Sequence, residues 1–143
     1  MKIFITGGAG FIGSAVVRMA VNSGHEILNL DSLSYAANLS NISEVSSSSD
    51  YHFVKGDICD SDIVGNIFLN FKPDAIMHLA AESHVDRSIE GPSEFIKTNI
   101  LGTFNLLQEA RTYYEGLKGN KKDLFRFHHV STDEVYGDLD ISD

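Results

Sequence analysis

The chain has 143 residues, 43% of them hydrophobic and 22% charged, which suits one soluble domain with its own core. A formal net charge of −9 makes it a poor partner for nucleic acid or an anionic membrane, but not for a phosphate-bearing small molecule, which backbone N–H groups at a helix start can hold. The single cysteine, Cys59, rules out an internal disulfide and fits a reducing cytoplasm, and no apolar run approaches the roughly 18 residues that span a bilayer.

Residues 2–6 (KIFIT) are a short apolar run closed by glycines, which predicts a buried first strand and is too short for a signal-peptide core. Residues 11–23 place Phe11, Ile12, Ala15, Val16, Met19 and Ala20 at helical spacing, and Gly24 ends that helix. A second strand follows over 25–30, with Asp31 at its C-terminal tip. The polar stretch 32–50, with its Ser46–Ser49 patch, predicts a loop with room for a short helix near 38–44. Strand three is 51–55. A helix follows over 61–70, with Asp60 or Ser61 as N-cap, and strand four is 75–79, after Pro73. A loop leads into a long helix from about 93 to 115, a polar basic turn over 116–122, and a fifth strand over 124–130 that ends in Ser131-Thr132-Asp133-Glu134. Strands alternating with helices predict an α/β fold: a Rossmann-like parallel sheet in the order 3-2-1-4-5 with helices on both faces.

Between strand one and the first helix lies Gly7-Gly8-Ala9-Gly10-Phe11-Ile12-Gly13. In that context Gly7 permits the tight turn, Gly10 lets the backbone approach a pyrophosphate, and Gly13 lets the helix pack close to the sheet. The positive end of the helix then points at the phosphates. Asp31, eighteen residues after Gly13, is placed to accept bonds from ribose hydroxyls and to repel a 2′-phosphate, which favours NAD over NADP. No His or Cys spacing suits a metal, so no metal site is expected.

Thr6–Gly13 (TGGAGFIG), Asp31–Leu39 (DSLSYAANL), Gly56-Asp57-Ile58, His78–Ser88 (HLAAESHVDRS), Thr98–Thr103 (TNILGT) and Ser131–Gly137 (STDEVYG) occur in this order. The set resembles the extended short-chain dehydrogenase/reductases and, within them, the dTDP-glucose 4,6-dehydratase family. The resemblance covers essentially the whole chain. It implies NAD as cofactor and a nucleotide sugar as substrate. Phe11 and Ile12 would flank the pyrophosphate. Ser32, Leu33 and Ser34 would follow Asp31 into the cofactor site. Asp57 and Ile58 would hold the adenine edge and face, and Leu79, Ala80, Ala81, Glu82 and Ser83 would run beneath the nicotinamide half. Thr98 would touch the cofactor, while Ser83, His84 and Thr132 would face the sugar or its phosphates. The apolar stripe of the long helix would serve a homodimer contact.

The implied reaction is an internal redox loop: hydride leaves C4 of the hexose for NAD, water is eliminated across C5–C6, and the hydride returns to C6. Thr132, Asp133 and Glu134 would be catalytic, with Glu134 the base at C5, Asp133 the acid at the C6 hydroxyl and Thr132 polarising the C4 hydroxyl. A protonated Asp133 fits burial beside a second carboxylate. Two adjacent carboxyls argue against a 4-epimerase, which only moves a hydride to and from C4. The family's Tyr-x-x-x-Lys pair is absent: Tyr136 lacks the lysine, and Tyr114 with Lys118 is in the wrong helix. The expectation is an incomplete NAD-binding Rossmann domain over 1–143, inactive by itself, with the pair, the later strands and the substrate-nucleotide domain beyond. A 4-epimerase, a UDP- or CDP-glucose 4,6-dehydratase and a non-catalytic NAD-binding module remain as alternatives.

Overall fold

The computed structural model describes residues 1–84, 86, 89, 91–132, 135 and 137. Five parallel strands, β1 (Lys2–Thr6), β2 (Glu26–Asp31), β3 (Tyr51–Lys55), β4 (Ala75–His78) and β5 (Arg126–His129), form one sheet in the order β3-β2-β1-β4-β5. This is the predicted Rossmann-like order, and helices cover both faces. The chain runs outward from β1 in one direction to β3, then crosses back to β4. That reversal opens a crevice beyond the carboxyl ends of β1 and β4, the usual ligand position in such sheets.

Strand alternation divides the core into two layers. Phe4, Leu28, Leu30 and Ile76 face one side, where they meet Val64, Ile67, Phe68 and Phe71 of α2 (Ser61–Phe71) and Leu106 and Ala110 of the long helix. Phe4 and Phe68 pack edge to face, 5.8 Å apart. Ile3, Ile5 and Ile27 face the other side, against Val17 and Val21 of α1 (Phe11–Asn22) and against Ile42 and Val45. Each such side chain, fully withdrawn from water, stabilises the fold by about 1.5–3 kcal/mol. Caps fix the helix ends. Asp60 accepts from the N–H groups of Asp62 and Ile63 (3.0 and 3.1 Å), and Asn38 caps a 3₁₀ turn at Leu39–Ile42.

Two elements differ from expectation. The 116–122 turn contains a short helix, Asn120–Leu124, entered through Gly119 at φ +55°, so β5 starts only at Arg126. The long helix has three parts: α3 (Pro92–Phe95), a π-helical stretch (Ile96–Gly102) and α4 (Thr103–Gly116). The π stretch lies over the turn after β3, where a Cβ at Gly102 would come within 2.6 Å of the Ile58 side chain. Asn105 Nδ2 donates to the Ile58 carbonyl (2.7 Å), and Cys59 Sγ donates to the Lys97 carbonyl (3.3 Å).

Candidate functional site

The glycine loop leaves β1 through Gly7, whose φ of +73° belongs to the left-handed region. Gly7 N–H donates to the Leu30 carbonyl (2.9 Å), and a Cβ on Gly7 would sit 2.7 Å from Ala80 N. This glycine therefore serves both the turn and the close passage of β4. Gly10 is the extended N-cap of α1 and brings no side-chain cap. The N–H groups of Phe11 to Gly13 thus have no intrahelical partner, and the first turn carries no acidic side chain to compete for them. A Cβ at Gly13 would overlap the Gly7 carbonyl, so this glycine lets the helix sit close against its own entry loop at the end of β1. Phe11 and Ile12 stand out into solvent, 90% and 62% exposed.

Asp31 is buried at the tip of β2. Its Oδ2 accepts from Ala9 N–H (2.8 Å) and its Oδ1 from Leu33 N–H (2.8 Å), which leaves each oxygen one further lone pair. The second bond accompanies a left-handed Leu33 (φ +58°). The chain then returns over the loop, where Asn38 N–H reaches the Ala9 carbonyl (2.9 Å) and the Tyr35 ring meets His84 edge to face at 6.2 Å. On the far side Asp57 caps its own turn through Cys59 N–H (2.9 Å) and pairs with Lys97 (3.6 Å). Burial, then the Asp57 carboxylate, pushes the Cys59 thiol upward, so this cysteine carries no reactive thiolate.

Behind the floor of the crevice lies His78, buried at the end of β4. Its Nδ1 is 2.7 Å from Thr6 Oγ1 and its Nε2 2.9 Å from Thr103 Oγ1, and the His129 ring stacks on it at 5.0 Å. A neutral imidazole supplies the donor and the acceptor that two hydroxyls require. Burial first, and the neighbouring His129 second, lower its pKa to about 4. The unfolded chain would protonate His78 near 6.5 and the folded chain only near 4. Its contribution is therefore complete above 6.5 and is lost as pH falls toward 4, by about 3 kcal/mol at roughly 1.4 kcal/mol per unit. Urea unfolding at pH 7, 5 and 4 should show that loss, and an unchanged slope in His78→Gln would assign it elsewhere.

A cleft of about 200 Å³ occupies this crevice. Gly7, Gly10, Asp31, Ser32 and Ser34 line one side, Asp57 and Ile58 the far end, and Leu79, Ala80, Ala81, Glu82 and Thr98 the floor and the other wall. Of the expected cofactor residues, Phe11, Ile12, Gly13, Leu33 and Ser83 lie outside its lining. Ser83 and His84 are exposed at the loop beyond Glu82. Thr132 is exposed just past β5, at the same end of the sheet. The other two expected catalytic residues, Asp133 and Glu134, and Tyr136 lie outside the described residues. Sequence reasoning missed Leu30, Ala36, Ala37, Gly56 and Glu94, which also line the cleft. Asn99 bonds backbone beside the cleft: its Oδ1 accepts from Glu82 N–H and its Nδ2 donates to the Glu82 carbonyl, both at 2.8 Å. No helix among the described residues is long and apolar enough to cross a membrane.

The sequence model of the GDP-mannose 4,6 dehydratase family matches residues 4–142. The chain belongs to that family. It is 59% identical over 140 residues to a dTDP-glucose 4,6-dehydratase of Escherichia coli, a match covering 97% of this chain and 39% of the relative. The dTDP-glucose 4,6-dehydratase of Haemophilus influenzae is 54% identical over 144 residues, 100% of this chain and 43% of that protein. Among solved structures, the dTDP-glucose 4,6-dehydratase of Streptomyces venezuelae with NAD bound superposes with a TM-score of 0.82 at 44% identity, over 98% of this chain and 42% of the other. The chain spans about two fifths of the length of the curated relatives it matches.

Proposed function

We propose that this chain is the NAD-binding part of a dTDP-glucose 4,6-dehydratase, a hydro-lyase that forms dTDP-4-keto-6-deoxyglucose. The observation that carries the reading is the cleft beyond β1 and β4, in a chain 59% identical over 140 residues to a relative of that name. Its residues fit a dinucleotide. The uncapped start of α1 offers N–H groups for a pyrophosphate, Asp31 keeps lone pairs for ribose hydroxyls, and Ile58, Leu79 and Ala80 give apolar surface for the rings. NAD, when bound, supplies the hydride acceptor that takes hydrogen from C4 and returns it at C6.

The chain's own residues handle protons. Glu134 removes the C5 proton, which a 4-ketone makes acidic, Asp133 protonates the departing C6 hydroxyl, and Thr132 polarises the oxygen at C4. The tyrosine–lysine pair and the nucleotide pocket belong to the remainder of the intact protein, whose place is the cytoplasm. Ile96, Ile100, Phe104 and Leu107, each about half exposed along the long helix, support a homodimer contact.

Incubating the intact protein with dTDP-glucose deuterated at C4, and following the label by NMR, tests the reading. Deuterium at C6 of a 6-deoxy product is expected. Retention at C4 with inversion there would make the protein an epimerase and remove the roles given to Asp133 and Glu134.

A further inference from the structure

β2 directs two polar side chains, two positions apart, at the glycine loop. Asp31 takes the Ala9 N–H, and Asn29 takes the neighbouring Gly8 N–H through Oδ1 at 2.9 Å. Asn29 is wholly buried in mid-strand, where an amide must find partners for both its ends. Its Nδ2 donates to the hydroxyl of Tyr51, at the start of β3, at 3.1 Å. The Gly8 N–H fixes the amide's orientation, because a flipped amide would face that donor with a second donor, and the Tyr51 hydroxyl then serves as acceptor for Nδ2. Gly8 itself admits the group, since a Cβ at position 8 would overlap the Asn29 amide. Burial raises the Tyr51 pKa, with the Asp31 charge adding to the rise, so its hydroxyl stays protonated.

The loop's donors are thereby divided. Gly8 and Ala9 N–H are held from beneath, and Gly10 N–H turns to the Gly7 carbonyl (3.2 Å). What remains for a ligand is the first turn of α1. We propose that Asn29 is a positioning residue for dinucleotide binding, with Tyr51 as the group that anchors the far end of its amide: together they lock the Gly8 peptide so that the start of α1 presents its N–H groups to a pyrophosphate. Neither side chain lines the cleft, so the effect on the ligand is indirect. The inference rests on the NAD site proposed above.

Dissociation constants for NAD, ADP and adenosine, measured on the intact protein, on Tyr51→Phe and on Asn29→Leu, test it. NAD and ADP should bind several-fold more weakly to Tyr51→Phe and about tenfold more weakly to Asn29→Leu. Adenosine, which has no phosphate, should bind all three alike. Tyr51→Phe removes one oxygen only and carries the test if Asn29→Leu fails to fold. Lowered melting temperatures with an unchanged ratio of NAD to adenosine affinity would overturn the positioning role. Wild-type protein that binds no NAD would overturn the NAD site and this inference together, whereas tight wild-type binding with unchanged variants would overturn this inference alone.

Discussion

Gly7→Ala is expected to weaken NAD binding by about 100-fold or more and to lower stability by about 3 kcal/mol. Two causes add. A side chain at φ +73° costs about 1–2 kcal/mol of left-handed strain. The new Cβ would also lie 2.7 Å from Ala80 N, 2.8 Å from Ala80 Cα and 2.9 Å from the Leu79 carbonyl carbon. These are backbone atoms at the end of a buried strand, so the loop must lift, breaking the Gly7–Leu30 bond and displacing the start of α1. Gly24→Ala is the matched control. Its φ is +80°, but nothing lies within 4 Å of the added atom, so only the strain of about 1–2 kcal/mol is expected, with NAD affinity unchanged. Urea unfolding and NAD titration of both variants separate strain from contact, and near wild-type NAD affinity in Gly7→Ala would mean that the loop tolerates being lifted.

The strands were legible because each apolar run is short and closed by turn residues. Tyr51–Lys55 ends at Gly56, and Ala75 follows Pro73-Asp74. The residues lining the cleft were legible where the resemblance implies a contact, as at Asp31 and Leu79 to Glu82. Ala36 and Ala37, though inside the Asp31–Leu39 motif, and Glu94 reach the cleft only when the chain folds back over the loop and the long helix crosses the turn after β3. The short helix at Asn120–Leu124 was hidden because its polar residues have no apolar period, and little of it is buried. The π stretch was hidden for the opposite reason: Ile96, Ile100 and Phe104 keep ordinary helical spacing, while Gly102 against Ile58 and Asn99 against Glu82 are tertiary contacts. Asn29 illustrates the same limit, since in the sequence it is a polar residue inside an apolar strand, and only the fold supplies its two partners.

Asp133→Asn and Glu134→Gln should each reduce turnover of the intact enzyme by about 10²–10⁴-fold, yet fail at different steps. A base at C5 is needed before an acid at C6 has anything to complete. In D₂O, once C4 has been oxidised, Asp133→Asn should still exchange the C5 proton of the bound sugar with solvent while forming no 6-deoxy product. Glu134→Gln should do neither. Exchange in both variants would place the base elsewhere. Exchange in Glu134→Gln alone would reverse the two roles. Neighbours on a strand point to opposite faces, so two adjacent carboxyls can serve one sugar only where the strand has ended. β5 pairs with β4 through His129, with Val130 N–H still bonded to the His78 carbonyl (3.0 Å), and Thr132 lies past the last of these bonds.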